Sequence, residues 1–133
     1  MINSIDKAFA FQEKALSLQG YRQQLLASNI ANADTPNYKA VDIDFAAAMR
    51  RAQSGMSSVG MTRTSAGHMD GRSGGALAGV TPQYRTSIQP SIDGNTVDTN
   101  IEQGQFAQNS LQYLSTLQFI NADIQSETLA LKP

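Results

Sequence analysis

The chain has 133 residues, the size of one domain, and a formal net charge of −1. It has none of the basic excess typical of nucleic-acid-binding proteins and no cysteine for a disulfide framework or thiol chemistry. Only 16% of its residues are charged, and the 13 Gln and 8 Asn match the 21 charged residues in number. Much of the polar surface is therefore neutral and costs less to bury than charge.

The sequence offers no candidate for a membrane span or a cleaved signal. The longest uninterrupted apolar run, Phe45–Met49, is too short to cross a bilayer. Asp6, Lys7 and Glu13 interrupt what would have to be the apolar core of a signal peptide. We expect a chain that stays in the cytoplasm or leaves it by a route that reads no cleaved signal.

Residues 1–33 are predicted to form a long helix, because the stretch has no Pro and a single Gly. Its apolar residues occupy two flanks, whereas a surface helix usually has one stripe. One flank holds Ile5, Phe9, Leu16, Leu26 and Ile30, and the other holds Phe11, Ala15, Leu18 and Leu25. Such a wide arc indicates a helix that packs between several neighbours.

Residues 34–53 are predicted to form a turn, a short strand and a short helix. Pro36 disfavours helical backbone at Thr35, and Pro36-Asn37 suits the centre of a turn. Val41, Ile43 and Phe45 alternate with two aspartates, which indicates a strand whose carboxylates face solvent. Phe45–Gln53 then reads as helix, with Asp44 as its N-cap.

The middle of the chain changes character. Residues 54–80 hold 7 of the 10 glycines, and we expect a flexible loop with too little apolar surface to offset its ordering entropy. Residues 81–98 are predicted to be extended, with a second short strand at Tyr84–Ile88 and a turn at Asp93-Gly94-Asn95.

Residues 99–133 are predicted to form a second long helix. Thr99 and Glu102 have the spacing of a capping box, in which Thr caps the helix and Glu bonds back to it. Apolar residues at alternating spacings of three and four form a heptad seam, although the same pattern fits an ordinary core helix. The seam holds Phe106, Tyr113, Leu117, Ile120, Ile124 and Leu131.

These elements predict a mainly α fold. Its two terminal helices, 1–33 and 99–133, pair as an antiparallel coiled-coil-like layer and form one helical assembly domain. A short β and loop extension and the flexible Gly/Ser-rich middle complete it. The free energy gained by half-burying the apolar residues of these two helices barely offsets the entropy lost when the chain becomes ordered. We therefore expect other subunits to complete the core.

The string NIANADTPNYK at Asn29–Lys39 resembles the signature of the bacterial flagellar basal-body rod family. Asp42–Phe45 and the block Pro90–Asp98 are also similar to segments of rod proteins from the proximal end of that structure. The resemblance identifies two assembly motifs. The first holds Asn29, Ala31, Asn32, Asp34, Thr35, Pro36, Tyr38 and Lys39, and the second holds Asp93, Gly94, Asn95, Val97 and Asp98.

The resemblance implies a structural subunit with no catalysis, cofactor, metal or small-molecule substrate. It implies synthesis in the cytoplasm, export in an unfolded state by the flagellar type III system, and polymerisation through the terminal helices. The product is a hollow helical rod in the periplasmic space. The implied partners are copies of the chain, other rod proteins, the adaptor FliE, and the membrane ring and export gate of the motor.

Two other functions compete with this hypothesis. One is a cytoplasmic coiled-coil adaptor or export-associated protein, which the helices alone also fit. The other is a small hydrolase that uses His68 with Asp70 and Ser65. The Gly/Ser-rich surroundings of His68 disfavour the hydrolase, because nucleophilic catalysis needs side chains held at hydrogen-bond distance by a rigid scaffold.

Overall fold

The computed structural model describes residues 2–54, 80–86 and 91–132. Along the chain it has α1 (Ile2–Ala31), β1 (Val41–Asp42), α2 (Phe45–Gln53), β2 (Gln83–Tyr84) and α3 (Thr99–Ala130). The predicted mainly helical class is confirmed. His68 and most of the predicted flexible loop lie outside the described residues. Among the helices described, none combines the length and hydropathy of a membrane span.

The two long helices pack against each other in opposite directions. Side-chain hydrogen bonds join Gln12 to Asp123, Gln23 to Ser110 and Asn29 to Glu102. Residues early in α1 therefore contact residues late in α3, and the two helices are antiparallel. The centre of this contact is polar, since Asn109 is buried there and donates to Gln19 O at 2.9 Å. Packing of the terminal helices is thus confirmed, and amides share the contact with apolar side chains.

The apolar core lies on the other flank of α1. Ala15 and Leu18 of α1 pack with Ile43, which directly follows β1, and with Ala48 and Met49 of α2. Tyr21, Leu25, Phe45 and Val80 surround this cluster. The second flank of α1, apart from the exposed Phe11, is therefore covered within the same chain, which accounts for part of the wide apolar arc seen in the sequence.

Both α2 and α3 begin after an aspartate that caps the helix N-terminus. α2 has the predicted bounds and N-cap, because Asp44 Oδ1 accepts from Ala47 N at 2.9 Å. The capping box predicted for α3 is wrong. Asp98 is the N-cap, and its Oδ1 accepts from Asn100 N at 3.0 Å. Glu102 turns inward toward α1 and is buried.

A two-stranded antiparallel ladder ties the central segment to the end of α1. Val41 pairs with Tyr84 and Asp42 with Gln83. Arg85 N donates to Ala40 O at 2.9 Å and extends the pairing by one bond. The second strand begins one residue earlier than predicted. Residues 87–90, which include the rest of that predicted strand, lie outside the described residues.

Candidate functional site

The two sequence motifs lie against each other. Asn95, 5% exposed, directs its Nδ2 to three backbone carbonyls at the end of α1: Asn32 O at 3.0 Å, Ala33 O at 2.7 Å and Thr35 O at 2.9 Å. Its Oδ1 accepts from Val97 N at 2.8 Å. These carbonyls belong to the turn that follows Ala31, the last residue of α1. Asn95 therefore caps the turn that ends α1, from 60 to 63 residues further along the chain.

Two residues with positive φ shape the contact between the motifs. Pro36 and Asn37 form the centre of a turn closed by Tyr38 N and Thr35 O at 3.3 Å, and Asn37 has φ 60°. Gly94 has φ 75°, which L side chains rarely adopt. A Cβ on Gly94 would lie 2.6 Å from Asn37 Oδ1. Both the backbone conformation and the close approach therefore require glycine at position 94.

Three more hydrogen bonds close the contact. Asn37 N donates to Asp93 O at 2.9 Å, Thr96 N donates to Tyr38 O at 3.0 Å, and Lys39 Nζ donates to Gly94 O at 2.6 Å. The Ser91 hydroxyl and then Asn95 N bond the Asp93 carboxylate and hold its pKa below the usual value. We call residues 32–40 with 91–98 the motif clasp. It fixes the direction in which the chain leaves α1.

Asn29, the first residue of the signature, connects β1 to the helix pair. It is fully buried, and its amide bonds both backbone groups of Val41, with Nδ2 to O at 2.9 Å and N to Oδ1 at 3.1 Å. Its Nδ2 also lies 3.1 Å from Glu102 Oε2. The side chain thus extends the strand ladder to α1 and reaches α3, which no apolar residue of its size could do.

A cluster of four charged side chains lies beside Asn29, and we call Arg22, Asp42, Arg85 and Glu102 the charge cluster. Arg22 bonds Asp42 through Nε and Nη2, each at 2.9 Å. Arg85 bonds Asp42 Oδ2 at 2.7 Å and also pairs with Glu102. Gln105 Oε1 accepts from Arg85 Nη2 at 2.8 Å. The cluster joins α1, β1, the segment after β2, and α3.

The surroundings shift the pKa values of two of these groups. Burial alone would raise the pKa of Asp42, but hydrogen bonds from Arg22, Ile43 N and Arg85 outweigh burial and bring it below its usual value. The hydrogen bond to Asp42 raises the pKa of Arg22 above its already high value. Asp42 was expected to face solvent, and that expectation is wrong because two arginines enclose it.

The charge cluster was missed in the sequence. Its members are separated by up to 80 residues and follow no spacing rule, so no local pattern marks them. Glu102 gave a misleading signal, because a glutamate three residues after a threonine fits a capping box. The neighbouring Asp98 is an equally good cap, and it leaves Glu102 available for Arg85.

The predicted interface residues divide by exposure. On α1, Leu18 and Leu26 are buried and Phe11 is exposed, while the side chain of Ile5 lies outside the described residues. On α3, the seam residues Tyr113 and Ile124 are exposed, as is Leu131 just after the helix. The half-buried residues are Phe9, Leu16, Leu25, Ile30, Phe106, Leu117 and Ile120.

Motif residues divide in the same way. Asn29 and Asn95 are buried, and Asn32, Tyr38, Gly94 and Val97 are half-buried. Ala31, Asp34, Thr35, Pro36, Lys39, Asp93 and Asp98 are exposed. The buried members build the clasp, and most of the exposed ones form its outer surface.

The opposite side of α3 carries large apolar side chains that are mostly exposed to solvent. Leu111 is 68% exposed, Phe119 66% and Leu129 67%, and Leu114 is exposed beside them. No charged residue occurs between Glu102 and Asp123, a helical length of about 30 Å at 1.5 Å per residue. Leu111, Leu114 and Phe119 form what we call the outer face of α3, which is apolar and uncharged.

The described residues hold no cluster of His, Asp or Glu suited to a metal ion. The chemistry of both the clasp and the charge cluster is directed at the protein's own backbone and side chains. The arrangement is thus a device for holding segments of chain at fixed angles.

Comparison with known proteins agrees with the sequence motifs. A family model described as "Flagella basal body rod protein" matches residues 9–39, which run from α1 to the turn of the clasp. Flagellar basal body rod protein FlgB of Escherichia coli (strain K12) is 47% identical over 130 residues, 93% of this chain and 92% of that protein. FlgB of Aeromonas hydrophila is 44% identical over 133 residues, 99% and 98% of the two chains. The chain therefore belongs to the flagellar basal body rod protein family, whose members are structural components of the flagellum and not enzymes.

Proposed function

We propose that the chain is a structural subunit of the proximal rod of the flagellar basal body. It is exported unfolded by the flagellar type III system and polymerises in the periplasmic space through its terminal helices. Its neighbours are copies of itself, other rod proteins and the adaptor FliE, next to the membrane ring and export gate. The names of the two relatives described above, both FlgB rod proteins, support the location and the structural role.

The outer face of α3 is the observation that carries the proposal. Three large apolar side chains, Leu111, Leu114 and Phe119, are exposed within two and a half turns of one helix. An exposed apolar patch of this kind marks a surface that binds another protein. α3 packs on α1 with one side and leaves a second apolar side mostly exposed to solvent. This arrangement suits an assembly of repeated subunits, in which a neighbouring subunit covers the second side. The absence of charge on the outer face suits stacking, because identical charges on repeated copies would repel.

The motif clasp has a supporting role in this proposal. It holds the chain rigidly where α1 ends, so the extension of β1, β2 and α2 keeps one angle to the helix pair. Repeated subunits need such a fixed angle, because head-to-tail contacts generate a regular helix only when each copy presents the same two surfaces. The exposed motif residues Asp34, Pro36 and Lys39 are proposed to contact a neighbouring subunit.

Photo-crosslinking in cells tests the assignment. Leu114→benzoylphenylalanine places a crosslinker on the outer face, and Arg50→benzoylphenylalanine places one on the exposed side of α2 as a matched control. We expect basal bodies isolated after irradiation to contain position-114 adducts with a second copy or with another rod protein. Adducts restricted to cytoplasmic proteins, with no chain in the basal body, would favour the adaptor hypothesis and contradict the rod assignment.

A further inference from the structure

Residues 80–86, the described part of the central segment, lie against β1 and the apolar core and reach α3 through one side chain, and we call them the strap. Val80 packs against the apolar core at one end, and Tyr84 pairs with Val41. Arg85 N bonds Ala40 O, and the Arg85 side chain reaches Asp42, Glu102 and Gln105. Arg85 is thus the residue through which the strap bonds to α3.

The charge cluster is balanced only when the strap is docked. It contains Arg22 and Asp42, which pair with each other, and Arg85 and Glu102, which form the second pair. Glu102 is 1% exposed. Its other partner in the described chain is the neutral amide of Asn29. Without Arg85, a buried carboxylate would remain with no positive partner in contact, and such a charge is strongly unfavourable.

We propose that Arg85 is a latch that makes close pairing of α1 and α3 at the Asn29–Glu102 end depend on docking of the strap. The helix pair closes there only when the guanidinium arrives between Asp42 and Glu102. Arg85 is 43 residues from Asp42 and 17 from Glu102, so a chain whose middle is extended cannot close this end by local contacts. The inference concerns folding of the chain and does not rest on the proposed function.

The latch differs from a solvent-exposed ion pair in what it predicts. Removing either partner of an exposed pair costs little stability, and removing the second partner adds nothing favourable. A latch exists because Glu102 opposes closure when it is unpaired. Neutralising Glu102 must therefore harm the normal chain and help a chain that lacks Arg85.

Four full-length variants test this sign reversal by helicity and urea unfolding. They are Arg85→Met, Glu102→Gln, the double variant, and Arg50→Met as a control that removes one exposed arginine from α2. We expect the folding equilibrium constant to fall at least tenfold in Arg85→Met and less than twofold in the control. Glu102→Gln alone should lower it. The double variant should fold at least threefold better than Arg85→Met.

A double variant no better folded than Arg85→Met would overturn the latch, even if both are largely unfolded. Equal effects of Glu102→Gln with and without Arg85 would also overturn it.

Discussion

Removal of the Asn95 side chain is the sharpest perturbation of the motif clasp. Asn95→Ala deletes the amide that lies within 3.0 Å of three carbonyls at the end of α1 and also accepts from Val97 N. The surrounding chain has no other side-chain donor bonded to those carbonyls among the described residues. The end of α1 would therefore lose its cap and the contact that orders the second motif.

The size of the effect follows from which groups water can reach. Thr35 is exposed, so its carbonyl is rehydrated at little cost, whereas Asn32 and Ala33 are half-buried. Asn32 O keeps its bond from Thr35 N, so Ala33 O and Val97 N are the two partly buried groups that lose their partner. At about 1 kcal/mol for each lost bond, and more where water is excluded, Asn95→Ala should cost about 2–4 kcal/mol of unfolding free energy.

Urea unfolding followed by far-ultraviolet circular dichroism measures this loss. Asn100→Ala is the matched control, because Asn100 is exposed on the first turn of α3 and should change stability by less than about 0.5 kcal/mol. Asn95→Asp keeps the acceptor for Val97 N but turns a carboxylate oxygen toward the three carbonyls. It should be more destabilising than alanine at neutral pH. An Asn95→Ala chain as stable as the control would refute the capping role.

Three further predictions test other parts of the structure. Gly94→Ala should destabilise the chain by more than about 1 kcal/mol, because alanine is strained at φ 75° and its Cβ would meet Asn37 Oδ1; an unchanged urea midpoint would contradict this. The pKa of Asp42 is lower in the folded chain than its unfolded value near 3.9, so its contribution is complete above about pH 4 and lost as pH falls through the folded value. Asp42→Asn should therefore be less stable at pH 6 and lose stability less steeply between pH 5 and 3. Leu114→Asp should fold normally and fail to enter basal bodies, whereas Leu117→Asp should also weaken the helix pair because Leu117 is half-buried.

Local rules predicted the local parts of the fold. The position of Asp44 before an alanine-rich stretch correctly predicted the bounds of α2, because an N-cap and helix propensity both act within one turn of the chain. Pro36-Asn37 gave the turn after α1 for a similar reason, since proline limits its own φ and the conformation of the residue before it.

Contacts between distant segments could not be predicted in this way. Asn95 caps a helix that ends 64 residues earlier, and Arg85 finds carboxylates on two other elements. The sequence indicated that Asn95 belongs to a turn and, by resemblance, to a known motif, but it indicated no partner for Asn95 and no role for Arg85. Polar side chains that bond to distant segments do not recur at the regular spacing of a helix or a strand, so only the folded structure reveals their partners.

A map of the assembled basal body, resolved to side chains, tests the account most directly. We predict that the chain occupies the proximal rod as a paired α1 and α3, with Leu111, Leu114 and Phe119 covered by helices of neighbouring subunits. The motif clasp should keep the contacts of Asn95 in every copy. A rod wall without this chain, or one in which the outer face of α3 touches no other subunit, would contradict the account.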